Sequence, residues 1–220
     1  MLVYAHRGYK KKENTIEAFT NSFSKFDGLD FDGIEFDVRL SKDKIPVVIH
    51  DSNLLRTHNV NIVVHLTNYI DLKKYNLLTL SETLTLVKEN KKKCLIDIKV
   101  KSNSNFIIAY LKDLVNRKII SSSMFKCIVY TDNVIFDKNI KLLRAYKYII
   151  PKNINTDFHG IALKYDNTIE NKKSIITSLD NLRSNNLHLN LYFEKYESNT
   201  LGNFLKLLLN AYNNVSFSFD

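Results

Sequence analysis

Two cysteines in 220 residues are too few for a disulfide framework. Cys94 and Cys127 each begin or adjoin a β-branched apolar run, where a buried thiol belongs, so neither a bridge nor a metal role is expected of them. No stretch of about 18 consecutive apolar residues occurs, and a membrane-spanning helix is not expected. The N-terminus, MLVYAHRG, lacks a charged region followed by a signal-like apolar segment, which makes a cytoplasmic location the expectation. No internal repeat, Pro/Ser-rich linker or low-complexity tract interrupts the chain, so residues 1–220 read as a single domain with enough apolar content to bury a full core.

Charge is not in short supply. A formal net charge of +9 and a pI near 9.3 favour anionic partners, among them nucleic acid, phospholipid headgroups and small phosphate esters. The lysines are scattered, with short clusters at Lys10 to Lys12 and Lys91 to Lys93, and no aromatic-interleaved basic stripe marks a nucleic-acid groove. No specific nucleic-acid partner is therefore expected. Peripheral contact with an anionic membrane is compatible with the charge, and the oligomeric state is not legible.

Short β-branched runs alternate with stretches of helical period, the pattern of βα units around a parallel sheet. Candidate strands are Leu2 to Ala5, Gly33 to Val38, Pro46 to His50, Cys94 to Val100, Lys126 to Tyr130, Tyr146 to Ile150, Gly160 to Leu163, Leu187 to Phe193 and Val215 to Phe219, one more than eight. Asn14 followed by Glu17 reads as a capping pair for a first helix whose face carries Ile16, Phe19, Phe23 and Phe26. Further helices are expected at Ser81 to Asn90, Asn105 to Arg117, Thr168 to Arg183 and Glu197 to Tyr212, with an irregular excursion from Leu54 to Leu78. The order fits an α/β fold, a (β/α)8 TIM-type barrel, compact and with some short or irregular helices because such barrels typically take around 250 residues.

Polar groups collect at the C-terminal ends of otherwise apolar strands, where barrel enzymes place their sites. His6 and Arg7 follow the first strand. Within IEFDV, Glu35 and Asp37 are two residues apart and share a face; PVVIHD ends in His50 and Asp51; CLIDIK carries Asp97 and Lys99, again two apart. Carboxylates converging in a barrel mouth repel one another unless a cation is present, so Glu35, Asp37 and Asp97 are candidate ligands for one divalent cation. All-oxygen ligation favours Mg²⁺ or Ca²⁺, with Mn²⁺ also admitted, over zinc. His6 and His50, on different strands, suit general acid–base work near neutral pH, in an order the sequence leaves open. Arg7 offers a fork of donors for phosphate oxygens and Lys99 a compact positive charge, which together imply a substrate with an anionic phosphoryl centre.

The strings HRG, ENT, IEFDV and PVVIHD with LLRT soon after, in that order, resemble the glycerophosphodiester phosphodiesterase family, closely over residues 4–57 and again at LIDIK around 95–99. The resemblance implies a TIM-type barrel and hydrolysis of glycerophosphodiesters to glycerol 3-phosphate and an alcohol. It also implies His6 and His50 as the acid/base pair, Arg7 and Lys99 on phosphate, and Glu35, Asp37 and an acidic residue at 97 around Mg²⁺ or Ca²⁺. Asn14 has a sufficient structural reading as the cap of the first helix, Asp51 supports His50 or its loop, and Arg56 reads as a packing residue. Two features depart from the family pattern. Aspartate stands at 97 where the family usually has glutamate, as it does in the related venom phospholipase D enzymes, which however lack the HRG and ENT strings. The tryptophan-bearing late strand of the family is represented here only by LHLNLYFEK, leaving Asn190, Tyr192 and Phe193 as candidates for the substrate wall. Alternative readings are a lysophospholipase D or cyclising phospholipase D-type enzyme on a lipid, and an inactive barrel that only binds a phosphorylated ligand.

Overall fold

The structure is a computed structural model that describes residues 2–9, 12–24, 30–151, 153–165, 168–193, 208, 210, 212 and 214–219. Its strands are β1 (Leu2–His6), β2 (Gly33–Leu40), β3 (Pro46–Val48), β4 (Lys93–Ile98), β5 (Phe125–Val129), β6 (Leu142–Tyr146), β7 (Gly160–Tyr165), β8 (His188–Phe193) and β9 (Val215–Phe219). Eight of them run parallel in the order β1-β2-β4-β5-β6-β7-β8-β9, and β9 pairs back onto β1 to close an eight-stranded barrel. The ninth candidate, around Pro46, is the extra one. It is the short β3, which lies antiparallel on the end of β2, with Val38 opposite Val48 and Leu40 opposite Pro46.

The helices are α1 (Ile16–Phe23), α2 (Leu55–His58), α3 (Tyr69–Leu72), α4 (Leu80–Glu89), α5 (Ser104–Asn116) and α6 (Ile169–Ser184). α4 starts at a capping box, in which Thr79 accepts from the Glu82 amide and Glu82 accepts from the Thr79 amide, satisfying two otherwise orphaned donors. Among the described residues no helix separates β5 from β6 or β6 from β7, so the expected economy of helices falls in these two connections. The excursion after β3 holds α2 and α3 and gathers a small core of its own from Val47, Ile49, Leu54, Val64, Leu72 and Leu77. None of the described helices is long and apolar enough to cross a membrane.

Alternation along the strands divides the core. Ile34, Phe36 and Val38 of β2, Cys94, Ile96 and Ile98 of β4, and Cys127 and Val129 of β5 face the helices, while Tyr4, Leu95, Ile128, Leu143 and Ala162 fill the barrel's middle. Both cysteines are free and buried. At Gly33 a Cβ would lie 1.9 Å from the Lys93 carbonyl oxygen, so β2 and β4 approach this closely only because the residue is glycine.

Three expectations are corrected. The sixth strand is Leu142–Tyr146 rather than Tyr146 to Ile150. Both halves of KLLRAYKYII are apolar, but pairing with β5 sets Leu142 opposite Cys127, and Ile149 is left exposed. The cap of α1 is Thr15, whose hydroxyl accepts from the Ala18 amide, and not Asn14. On α1 Phe19 is buried, whereas Ile16, at the first position of the helix, is exposed. Phe26 lies outside the described residues, as does most of the helix expected over Glu197 to Tyr212.

Candidate active site at the C-terminal mouth of the barrel

β2 turns Glu35 and Asp37 inward because its odd positions face the barrel axis, and β4 runs in register beside it with Asp97 opposite Asp37. One carboxylate oxygen from each of Glu35, Asp37 and Asp97 lies within 4.8 Å of the others, and all three residues are buried. Burial, together with the other two carboxylates, raises the Glu35 pKa above the ordinary range, and burial beside Asp37 raises that of Asp97. Asp37 is equally buried but is held below its usual value by Lys99 and Arg7. Lys99 Nζ stands 3.1 Å from Asp37 Oδ1 and 2.6 Å from Asp97 Oδ2, and these carboxylates outweigh its desolvation and raise its pKa.

The donor set fits a hard divalent cation. Asp97 Oδ1 is buried and has no hydrogen-bond partner, while Oδ2 of the same group accepts from Lys99 Nζ at 2.6 Å and from the Tyr130 hydroxyl at 2.8 Å. A buried carboxylate oxygen left bare is costly unless something positive meets it. The shorter aspartate side chain at 97 is thus braced on one oxygen, and its other oxygen is left without a hydrogen-bond partner.

Arg7 and Gly8 both have positive φ, 54° and 86°, so the chain reverses immediately after β1 and the guanidinium returns over the mouth. Arg7 Nε lies 3.1 Å from Asp37 Oδ2, and the Arg7 amide donates to the Glu35 carbonyl at 2.9 Å. Asn14, also left-handed at φ 58°, donates from Nδ2 to Asp37 Oδ2 at 2.9 Å. Its side chain therefore serves the acidic cluster, which is why the adjacent Thr15 does the capping.

His6, at the end of β1, places Nε2 3.7 Å from Glu35 Oε2 and stacks its ring on Tyr192 with centroids 4.2 Å apart. His50 follows β3; its Nδ1 lies 2.7 Å from Asp51 Oδ1, and Arg39 donates to its carbonyl at 2.8 Å. Asp51 in turn accepts from Arg56 Nε at 2.6 Å, and Glu13 accepts from both Arg56 at 3.1 Å and Arg7 at 3.2 Å. One ionic chain, Arg7–Glu13–Arg56–Asp51–His50, thereby ties the turn after β1 to the segment after β3. Arg56, read from sequence as a packing residue, is half exposed and ion-paired instead.

The structure thus brings together all seven residues singled out in the sequence. His6, Arg7, Glu35, His50, Asp97 and Lys99 line one cavity of about 620 Å³, and Asp37 lies just beneath it. Of the candidates for the late wall, Asn190 and Tyr192 line the cavity, whereas Phe193 faces outward and packs on Tyr165 and Phe217. Sequence reasoning missed Tyr130, Asn14 as a partner of Asp37, and the pairing role of Glu13. For Tyr130 the available signal was its place at the C-terminal end of a strand, two residues after the inward-facing Ile128.

Residues 6–201 match the profile of the Glycerophosphoryl diester phosphodiesterase family. The uncharacterized protein MG385 of Mycoplasma genitalium is 32% identical over 190 residues, covering 79% of this chain and 71% of that protein. The uncharacterized protein MG293 of the same organism is 37% identical over 130 residues, covering 52% of this chain and about half, 51%, of its own length. A glycerophosphodiester phosphodiesterase of Bacillus altitudinis is 42% identical over 74 residues, 33% of this chain and 29% of that protein. Among solved structures, an Oleispira antarctica phosphodiesterase in complex with its product sn-glycerol-3-phosphate superposes with a TM-score of 0.70 at 18% identity, covering 99% of this chain and 92% of that one. With a profile match over nearly the whole chain and the same barrel in its structural neighbours, the chain belongs to the Glycerophosphoryl diester phosphodiesterase family, a family of phosphoric diester hydrolases.

Proposed function

We propose that the chain is a metal-dependent glycerophosphodiester phosphodiesterase that releases glycerol 3-phosphate and an alcohol. The observation that carries this reading is the convergence of three buried carboxylates from two adjacent strands beneath a cavity rimmed by two imidazoles and two fixed cations. Glu35, Asp37 and Asp97 would hold one Mg²⁺, Ca²⁺ or Mn²⁺, and such an ion would neutralise charge developing on the phosphoryl oxygens.

The chain's own groups do the rest. Arg7 and Lys99 orient the phosphodiester, with Asp37 pinning both cations so that little ordering remains to be done on binding. His6 and His50 exchange protons with the attacking and leaving oxygens. Asp51 on Nδ1 sets the tautomer of His50 and leaves its Nε2 for the substrate. Stacking on Tyr192 fixes the plane of His6. These roles accord with the sn-glycerol-3-phosphate product named for the Oleispira neighbour.

The test is glycerol 3-phosphate release from a glycerophosphodiester by purified protein stripped with EDTA and then given Mg²⁺, Mn²⁺ or Ca²⁺. Turnover restored by metal and lost in His6→Ala and Glu35→Ala is the expected outcome. Turnover insensitive to EDTA would sink the metal assignment. Conversion of a lysophospholipid in place of every water-soluble diester would transfer the protein to the lipid-cleaving alternative.

A further inference from the structure

Exposed apolar side chains occur singly on soluble proteins and mean little one by one. Their placement here is uneven. The four most exposed large ones among the described residues are Ile70 at 67%, Leu66 at 64%, Ile135 at 63% and Ile149 at 61%, and all four stand at the end of the barrel on which the active-site cavity opens. Ile135 and Ile149 lie in the segments that leave β5 and β6, and the Ile135 amide donates at 2.7 Å to Asn105 Oδ1 in the first turn of α5. The described segments that lead into the strands at the opposite end, 30–32, 90–92, 117–124 and 185–187, carry no exposed large apolar residue.

Leu66 and Ile70 belong to a protrusion. β2 continues past Asp37 to Leu40 and turns at residues 41–45 into β3, which at about 3.3 Å per residue carries the turn roughly 13 Å beyond the acidic cluster. The excursion is tied to this turn: the Lys42 amide donates to the Thr67 carbonyl at 2.9 Å, and the Tyr69 amide to Asp43 Oδ1 at 3.0 Å. Lys42, Lys44 and Lys73 are exposed here and make no ion pair among the described residues. Lys73 and Lys74 follow Ile70 by three and four positions in one continuous helical stretch and so flank it. Lys74 pairs with Asp71 at 2.6 Å, and Asp43 is engaged by the Ser41 hydroxyl at 2.6 Å. Cations therefore dominate the surface around the two apolar side chains.

Such a surface suits lipid: the apolar side chains leave water for the acyl boundary while the ammonium groups stay with anionic headgroups. The core of a protein interface, by contrast, is depleted in lysine. We propose that this protrusion docks the protein on an anionic phospholipid bilayer, with the mouth of the barrel turned toward the lipid. Docking goes beyond the activity proposed above and needs no substrate.

Flotation of the purified protein with vesicles of phosphatidylcholine, and of phosphatidylcholine mixed with phosphatidylglycerol, tests this directly. Wild type should bind the mixed vesicles and be released as salt is raised. The double variant Leu66→Ser, Ile70→Ser should bind about tenfold or more weakly. The triple variant Lys42→Gln, Lys44→Gln, Lys73→Gln should lose about 100-fold, at about fivefold for each ammonium near an anionic surface. Ile176→Ser is the control: Ile176 is 57% exposed, but on α6, which follows β7 on the far side of the ring from β2, and its loss should leave binding unchanged. Matching melting temperatures identify the variants as folded. No binding to the mixed vesicles, equal binding to both vesicle types, wild-type binding by both protrusion variants, or an equal loss in Ile176→Ser overturns the proposal. So does a dimer that forms without lipid, survives added vesicles and dissolves in Leu66→Ser, Ile70→Ser, which would give this surface to a second copy of the chain. Docking as expected with no hydrolysis of any diester would remove the activity proposed above and uphold the docking.

Discussion

Replacing Tyr130 by phenylalanine removes one oxygen from a place where two groups, Asp97 and Lys99, depend on it. The hydroxyl donates to Asp97 Oδ2 at 2.8 Å and accepts from Lys99 Nζ at 3.2 Å. In the variant Asp97 keeps the Lys99 contact at 2.6 Å but loses its second restraint, so its carboxylate is held less firmly beside Glu35 and Asp37. A hydrogen bond to a charged group is worth about 1.5–3 kcal/mol, and Lys99 retains part of that for Asp97, so the variant should lose about 1–2 kcal/mol of folding stability. Groups that orient metal ligands typically govern metal affinity by about 10- to 100-fold. The assay is a titration of EDTA-stripped protein with Mg²⁺ or Ca²⁺ by calorimetry or thermal shift, followed by kcat/KM at saturating metal. Weaker binding by at least about tenfold is expected, with partial recovery of turnover at high metal. A variant that binds metal within about twofold of wild type would show that Asp97 is aimed without Tyr130, and the reasoning about its braced oxygen would be wrong.

Two further outcomes follow from the same geometry. Glu13→Gln removes the charge that joins Arg7 to Arg56, and because Arg56 is half exposed the effect should be limited to a fall of about 3- to 10-fold in kcat/KM, mainly through KM; an unchanged KM would show that Arg7 is held by Asp37 alone. His188, buried at the opposite end of the barrel between Asn214 and Ser216, has its pKa lowered to about 3 by burial and by Lys126. The folded protein therefore keeps this imidazole neutral where the unfolded chain binds a proton. Its contribution to stability is complete above about pH 6.5 and is lost as pH falls toward 3, at up to about 1.4 kcal/mol per pH unit. Urea unfolding of wild type and His188→Asn should show a steeper loss for wild type between about pH 6 and pH 4, and parallel slopes would refute the assignment.

Local pattern carried the parts of this molecule that depend on period. A two-residue alternation in IEFDV and LIDIK dictates that Glu35 with Asp37, and Asp97 with Lys99, share the inner face of their strands, because one face of each is apolar enough to demand helices against it. The same alternation separates Asn190 and Tyr192 from Phe193. Where the period is ambiguous the reading slipped: LLRAY and YII are equally good strands in isolation, and only pairing with β5 chose between them. Asn14 likewise has two competent uses, helix cap and carboxylate partner, and a sequence cannot rank them when Thr15 is available to take the first.

By itself the sequence determined the element order, the inward faces and the identity of the acidic, imidazole and cationic groups at the strand ends. Only the closed barrel decided which of them meet. Pairing of β1 with both β2 and β9 brings Tyr192 of β8 onto His6, and parallel register sets Asp37 beside Asp97 although they are far apart along the chain. The tie from Arg7 through Glu13 and Arg56 to His50 arises from the same closure. Such contacts depend on the ring order of strands and on their register, quantities that span the whole chain and leave no periodic trace in any one segment of it.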